Sequence, residues 1–344
     1  MGEPLTPYIF RVSCDIIRSM KNKDLLLKLL MENENDFLSG SNIAKTLGIS
    51  RAAVWKNIKL LESEGFTIEA ANNKGYRLSE SNDGVHEDLI KEYLGTEGRR
   101  FNLNVFHTIP STNTWLKENA DDLPGWSVAV AGNQTSGRGR SSRNFFSPDG
   151  TGVYLSLLLK EKIGFEDAGR LTTAAAVAAC NAIEHCTSEI PSIKWVNDVF
   201  VRSRKVCGIL TEANINYETG IPDWIVTGIG FNVYEPENGF PDEIKDIAGA
   251  ITLTRKKNLR SELAGFFIND FHRLCSDLNN KTLFNEYKKR CFILGRKIDV
   301  LTGKEVKPAT ALDLREDFAL IVRYDDGYEE ALKAGEVSTR PVQI

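Results

Sequence analysis

Paired cysteines are what this sequence most plainly lacks. Its six cysteines, Cys14, Cys180, Cys186, Cys207, Cys275 and Cys291, form no Cys-x-x-Cys pair, and its four histidines stand at no metal-ligand spacing. That pattern argues against a zinc ribbon or a disulfide framework and suits reduced thiols, with no resident metal expected. No apolar run approaches the ~20 residues of a membrane-spanning helix. A Gly-x-x-x-x-Gly-Lys-Ser/Thr loop is missing as well, which removes that kind of phosphate site. Charge of one sign is not in excess. The formal net charge is −4, and residues 1–80 carry 11 Lys and Arg against 10 Asp and Glu. Attraction to an anionic membrane is therefore not expected, and any nucleic-acid-binding face must be local. Pro4, Pro7, Arg11, Asp15 and Arg18 interrupt any apolar region in Met1–Met20, so this stretch reads as an extension, or as a leader to a start at Met20, and not as a signal peptide. The expectation is a cytoplasmic protein.

At 344 residues, the chain is long enough for two or three domains. Residues 20–80 read as one small unit. Leu25, Leu26, Leu29 and Leu30 make a helical stripe, Ser39-Gly40 breaks it, and Ser41–Leu47 forms a short second helix. Gly48-Ile49 is a tight turn and Ser50 caps a third helix, Arg51–Glu64, with Val54, Ile58 and Leu61 inward. Phe66–Ile68 and Tyr76–Leu78 flank Asn72-Asn73-Lys74-Gly75 as a hairpin. Helices followed by a hairpin in this order predict a winged helix-turn-helix. Its DNA-facing candidates are Ser50, Arg51, Trp55, Lys56 and Lys59 on the third helix and Lys74 on the wing, with Arg77 beside it.

A polar stretch over residues 81–89 reads as a linker. Residues 90–291 mix strands and helices, including a long Ala-rich helix, Ala168–Cys186, and strands at Ser127–Ala131, Val153–Leu159, Lys194–Val201, Val206–Glu212 and Trp224–Val233. Residues 292–344 read as short strands, Arg296–Val300, Glu305–Leu314, Ala319–Arg323 and Glu329–Lys333, broken at Thr302-Gly303 and Asp325–Gly327, a pattern that suits a small β-barrel. The fold class is thus α+β, in several domains.

The chemistry concentrates in the second region. Gly137-Arg138-Gly139-Arg140-Ser141-Ser142-Arg143 joins two strand-like runs. Guanidinium forks match carboxylate and phosphate oxygens, and glycine permits close backbone approach, so the loop suits an anionic ligand. Standing alone, it could equally be a solvated basic tip. Ser111-Thr112-Asn113 and Gln134 offer hydroxyl and amide groups. Lys194-Trp195-Val196-Asn197-Asp198, then Lys205-Val206-Cys207-Gly208, then Gly228-Ile229-Gly230-Phe231-Asn232 complete the series. Singly each has a plain explanation: a turn or N-cap for Ser-Thr-Asn, a surface pair for Lys194 and Asp198, a strand end for Asn232.

Together and in this order, these clusters resemble the biotin protein ligase family over roughly residues 100–235, and Ser50–Ile58 (SRAAVWKNI) strengthens the likeness to its bifunctional subgroup, ligases that also repress biotin genes. The resemblance implies a central mixed-sheet domain of the class II aminoacyl-tRNA synthetase/biotin protein ligase type and an Src-homology-3-like C-terminal barrel. It implies two steps. Biotin carboxylate attacks the α-phosphate of Mg2+-ATP, giving biotinyl-5′-AMP and pyrophosphate. A lysine of a biotin carboxyl carrier protein domain then takes the biotinyl group and AMP leaves.

Carried onto this sequence, Ser111, Thr112 and Gln134 are the expected ureido contacts, with Asn113 in support. Arg138, Gly139 and Arg140 would wrap the ligand, with Gly208 nearby. Arg140 and Arg143 are the expected phosphate contacts, Phe145 the adenine-stacking ring, and Asn232 a neighbour of the adenylate. Lys205 would stand between carboxylate and α-phosphate, and Asp198 would orient or deprotonate the acceptor lysine. Arg140, Lys205 and Asp198 form the catalytic set. Residues Tyr234–Arg255, with Phe240 and Ile247, are the expected lid. Adenylate binding would order the loops, pair two chains side by side through their central sheets, and place two winged helices on operator DNA.

Val196, Cys207 and Phe145 depart from the family pattern, which has proline, a smaller residue and tryptophan there. The expected consequences are a slightly looser backbone, a tolerated apolar filler and a smaller stacking face. The alternatives are a lipoate or octanoate ligase, a ligase whose helix-turn-helix no longer binds DNA, and a biotin-responsive regulator without catalysis.

Overall fold

The structure, a computed structural model, describes residues 22–33, 36–161, 165–215, 221–302, 305–333 and 338–341. The Met1–Met20 extension, Cys14 and Gly303 lie outside the described residues. The chain divides into two compact units between Asn82 and Asp83.

In the first unit, helices span Asn22–Glu32, Gly40–Leu47 and Arg51–Ser63. The Ser39 hydroxyl accepts from Asn42 N and the Ser50 hydroxyl from Ala53 N, each at 3.1 Å, satisfying amides that a helix start leaves unpaired. Gly48 takes the left-handed conformation that ends the second helix. Val54, Ile58 and Leu61 are buried as the helical spacing predicts. The first helix buries Leu26, Leu27 and Leu30, leaving Leu25 and Leu29 half-buried, so its stripe is rotated from the one expected. Strands β1 (Ile68–Ala71) and β2 (Gly75–Leu78) pair antiparallel, and Leu38 adds a third short pairing against Tyr76. Gly75 is required there, because a Cβ would lie 2.0 Å from Leu38 O.

In the second unit, β3 (Asn102–Ile109), β4 (Ser127–Gln134), β5 (Gly152–Leu159), β6 (Ser192–Lys194), β7 (Asp198–Val201), β8 (Arg204–Ile215) and β9 (Pro222–Asn232) form one seven-stranded sheet in the order β3-β4-β5-β9-β8-β7-β6. Only its first pair is parallel, so the sheet is mixed as expected. The buried run Val153–Leu159 and the Ala-rich helix Phe165–Cys186 pack with helix Leu259–Cys275 in one apolar core. The single strand expected over Lys194–Val201 is instead a hairpin. It breaks at Trp195-Val196-Asn197, whose first peptide bond is cis, and it sets Lys194 directly opposite Asp198.

Strands β10 (Lys297–Thr302), β11 (Glu305–Leu314), β12 (Leu320–Tyr324), β13 (Glu329–Leu332) and β14 (Ser338–Pro341) form a five-stranded antiparallel sheet, β13-β12-β11-β10-β14. Among the described residues no pairing joins β13 to β14, so the sheet is open where a closed barrel was expected. Ile298, Val300, Ala311 and Val322 belong to the same core as the central sheet.

The stretch read as a polar linker is anchored at its middle. Asn82 accepts from Thr67 N within the first unit, at 3.1 Å. Asp83 is buried in the second, where its carboxylate pairs with Arg260 and accepts from Tyr234 Oη at 2.6 Å. Helix Glu87–Leu94 then starts inside the range read as linker.

Candidate active site

The arginine loop leaves β4 and folds back as a narrow hairpin. Phe145 N donates to Gly137 O (2.9 Å), Arg138 and Asn144 form a bridge, and Gly139 N donates to Arg143 O (2.8 Å). Gly137 has no room for a side chain: a Cβ would stand 2.4 Å from Phe145 O and 2.6 Å from Ser147 Oγ. Arg138 and Arg143 are exposed, while Arg140 and Gly139 are half-buried. Arg140 Nη1 donates to Asn197 Oδ1 at 3.1 Å, joining the loop to the β6–β7 turn.

That turn carries a charge cluster. Lys205 Nζ lies 2.6 Å from Asp198 Oδ1, and Lys194 Nζ lies 3.3 Å from Asp198 Oδ2. Burial pushes the Asp198 carboxyl up, but the two ammoniums outweigh it and hold the group below its ordinary value. Burial pulls the Lys194 ammonium down, with Asp198 opposing. The Arg140 guanidinium is also lowered by burial, against the pull of Asp198. Three cations around one carboxylate leave an excess of positive charge, which suits an incoming anion. Cys207 points into the core, where burial pushes its thiol well up, so it serves as the inert filler expected.

The other end of the site is a hydrogen-bonded chain. Ser111, Thr112 and Asn113 are buried at the start of helix Thr112–Glu118, and Ser111 Oγ does cap that helix, accepting from Thr114 N. Thr112 N and Oγ1 both donate to Gln134 Oε1, at 2.9 and 3.1 Å. Gln134 Nε2 donates to Ser147 Oγ at 3.1 Å, and Ser147 Oγ donates to Phe145 O. With its oxygen occupied twice and one amide hydrogen given to Ser147, Gln134 keeps a single N–H to donate. The Ser156 hydroxyl lies 2.5 Å from Asn113 Oδ1 and 2.7 Å from Thr112 Oγ1. Asn113 Nδ2 donates to Glu212 Oε2 (2.9 Å), and Lys117 Nζ to Glu212 Oε1 (2.6 Å).

Between the two ends lies the Phe145 ring, over the paired glycines Gly208 and Gly230. A Cβ at Gly230 would stand 2.4 Å from the ring and one at Gly208 2.9 Å. The two glycines thus let the ring lie directly against the sheet. Asn232 sits at the end of β9 opposite Gly152, two residues beyond Gly230 and so on the same face. Residues 247–249 of the expected lid run alongside Lys205, whose N donates to Ile247 O (2.8 Å) and whose O accepts from Gly249 N (2.9 Å). Phe240 meets Phe146 edge to face, and Ile247 is 57% exposed.

The fold therefore gathers Arg140, Asp198, Lys205, Gly208 and Phe145 at one place and Ser111, Thr112, Asn113 and Gln134 beside it. Arg138 and Arg143 are exposed on the loop. Glu212, Ser147 and Ser156 were not among the expected site residues, and Asn197 and Lys194 stood in their cluster without a role; the surface pair offered for Lys194 taken singly does not hold, since its side chain is only 18% exposed. Glu212 had a signal: it shares the β8 face of Gly208 and Leu210 by simple alternation.

On the first unit, Ser50, Arg51, Trp55, Lys56, Lys59 and Lys74 are all exposed, with Trp55 at 56%. Lys59 pairs with Glu62 at 2.6 Å, and Arg77 is held by Glu69 and by the Phe37 ring. Basic groups and one aromatic thus line the outer face of the third helix and the wing.

The HTH domain family matches residues 22–77, and the Biotin/lipoate A/B protein ligase family matches residues 105–232. The class is therefore a protein ligase of the biotin/lipoate type carrying a helix-turn-helix domain. "Bifunctional ligase/repressor BirA" of Bacillus subtilis is 39% identical over 237 residues, covering 69% of this chain and 72% of that protein. The protein of the same name in Escherichia coli is 28% identical over 331 residues, covering 94% of this chain and all of its own length (100%). Among solved structures, the biotin protein ligase from Aquifex aeolicus in complex with biotin and ATP superposes with a TM-score of 0.58 at 26% identity, over 70% of this chain and 99% of that one. This chain belongs to the family of bifunctional biotin ligase/repressors.

Proposed function

We propose that this protein is a biotin–[acetyl-CoA-carboxylase] ligase that activates biotin with ATP, transfers it to a lysine of a carrier domain, and represses transcription through its helix-turn-helix domain. The observation that carries this reading is the meeting of Arg140, Lys194 and Lys205 around Asp198, beside the Thr112–Gln134 chain. Joining a carboxylate to a triphosphate brings two anions together, and preorganised cations lower the barrier to that encounter. Lys205 meets the carboxylate and the α-phosphate. Arg140 and Arg143 take phosphate oxygens. Thr112, Ser111 and Gln134 receive the ureido end, and Arg138, Gly139 and Gly208 flank the ligand. Phe145 stacks on the adenine and Asn232 lies near the adenylate.

Among the described residues no group of three His, Cys, Asp or Glu side chains is placed to hold a metal ion, and Asp198 is engaged by two lysines. Mg2+ arrives on ATP as part of the substrate. Asp198 orients the acceptor lysine in the second step. Residues 234–255 close over the adenylate, and closure favours a dimer that reads operator DNA through Arg51, Trp55, Lys56, Lys59 and Lys74. No described helix is long and apolar enough to cross a membrane, and the protein works in the cytoplasm.

Mass spectrometry under native conditions, after incubation with biotin and Mg2+-ATP, tests the ligase reading. A retained biotinyl-adenylate is expected. Retention of a lipoyl or octanoyl adenylate instead would assign the alternative substrate class. Titration of a labelled promoter fragment with the loaded protein tests repression, and no binding would leave a ligase alone.

A further inference from the structure

Asp198 is held at both oxygens by cations of different standing. Lys205 takes Oδ1 and Lys194 takes Oδ2, so neither ammonium needs the other's oxygen. The backbones behind them differ. Lys194 sits on β6, whose neighbours are pinned on every side: Phe292 N donates to Ile193 O (3.1 Å), Trp195 Nε1 donates to Phe318 O (2.9 Å), and Tyr287 Oη donates to Val196 O (3.0 Å). Trp195, Val196 and Tyr287 are buried. Lys205 is the second residue of β8, where it faces Phe200 of β7, and its main chain bonds Ile247 and Gly249, of which Ile247 is exposed. The Lys205 side chain is 28% exposed against 18% for Lys194.

Charge balance gives the difference a consequence. A nearly buried carboxylate stripped of its cation is costly. With Lys205 as sole counter-ion, a substrate anion drawing Lys205 away would leave Asp198 in that state, and binding would be opposed. We propose that Lys194 is the fixed counter-ion of Asp198, present so that Lys205 can turn from Asp198 to the substrate carboxylate and α-phosphate. Lys194 is then a positioning residue acting through Asp198 and Lys205. This rests on the ligase reading above.

The test is a double-mutant cycle on the full chain, read by calorimetric titration with a non-hydrolysable biotinyl-adenylate analogue. Lys194→Met weakens binding about tenfold or more, the size expected for loss of a charged interaction. In the Asp198→Asn background, where no buried carboxylate needs a counter-ion, the same change costs less than about twofold. Biotinol, which has the vitamin's rings and no carboxylate, binds Lys194→Met and wild type alike, whereas mere structural damage would weaken it equally. Lys194→Arg restores binding of the analogue. Should Lys194→Met fail to fold, Lys194→Gln carries the same expectations. Equal losses in both backgrounds, an equal loss for biotinol, or no loss at all would overturn the proposal. Failure of wild type to bind the analogue would instead refute the ligase reading.

Discussion

Asn113 and Glu212 are joined by a 2.9 Å hydrogen bond that fixes which way the Asn113 amide faces. Its nitrogen is committed to the Glu212 carboxylate, so its oxygen must face Ser156 and, through it, Thr112. Burial pushes the Glu212 carboxyl up, but hydrogen bonds from Asn113 and Lys117 outweigh it and hold it lowered, hence ionised at neutral pH. Replacing Glu212 by alanine leaves the amide nitrogen only its longer bond to Leu210 O (3.3 Å) and takes the carboxylate partner from Lys117. KM for biotin is expected to rise about tenfold, the scale of one lost charged hydrogen bond, with KM for ATP little changed. Steady-state kinetics with each substrate varied checks it. Equal rises in both would mean general damage.

Gly228 tests the same corner by crowding. A Cβ there would stand 1.8 Å from Asn113 Oδ1, in a buried network with no slack. Gly228→Ala is expected to lower the melting temperature by several degrees, as overpacking of about 1–3 kcal/mol does, and to abolish detectable biotin retention. Thermal unfolding with and without biotin provides the check, since a lost ligand-induced shift separates pocket damage from simple destabilisation.

Lys205→Ala removes the cation closest to Asp198. Adenylate formation should fall at least about tenfold, from loss of a charged interaction of roughly 1.5–3 kcal/mol. Single-turnover formation of biotinyl-adenylate measures it, and an unchanged rate removes Lys205 from the chemistry.

Asp198 sets the acid limit of the cluster. Its carboxyl is lowered in the folded protein, so ionised Asp198 contributes stability above the ordinary carboxylate range. That contribution is lost as pH falls through the lowered value. Wild type should therefore lose stability more steeply than Asp198→Asn below about pH 4, the ordinary range of an aspartate. Urea unfolding at a series of pH values reads the difference, and parallel curves would contradict it.

Lys56 and Lys59 lie exposed on the third helix. Replacing both by alanine should weaken operator binding and spare ligation. The salt dependence of binding should flatten by roughly one unit of slope for each phosphate no longer neutralised. Fluorescence anisotropy at several salt concentrations decides. Unaltered affinity would place the DNA on another face.

What could be read from the sequence was local. Ser50 as a cap, Val54, Ile58 and Leu61 as a stripe, and Glu305–Leu314 as a strand follow from spacing and side-chain chemistry over a few residues. The arginine loop, Lys205 and Asp198 were legible because their residue types carry charge in a tight pattern. The hairpin that sets Lys194 against Asp198 was not, because an apolar run around Trp195 and Val196 looks like one strand. Its break is held from far along the chain, by Tyr287 and Phe318. Glu212 was missed for the same reason: its partners, Asn113 and Lys117, lie almost 100 residues away. Asp83 looked like linker because its partner, Arg260, is farther still.

Whether this chain activates biotin is decided by exchange of labelled pyrophosphate into ATP by the purified protein. Exchange is expected to depend on added biotin, to fail with lipoate or octanoate, and to collapse in Lys205→Ala. No exchange with biotin present, or exchange equally well supported by lipoate, would contradict this expectation.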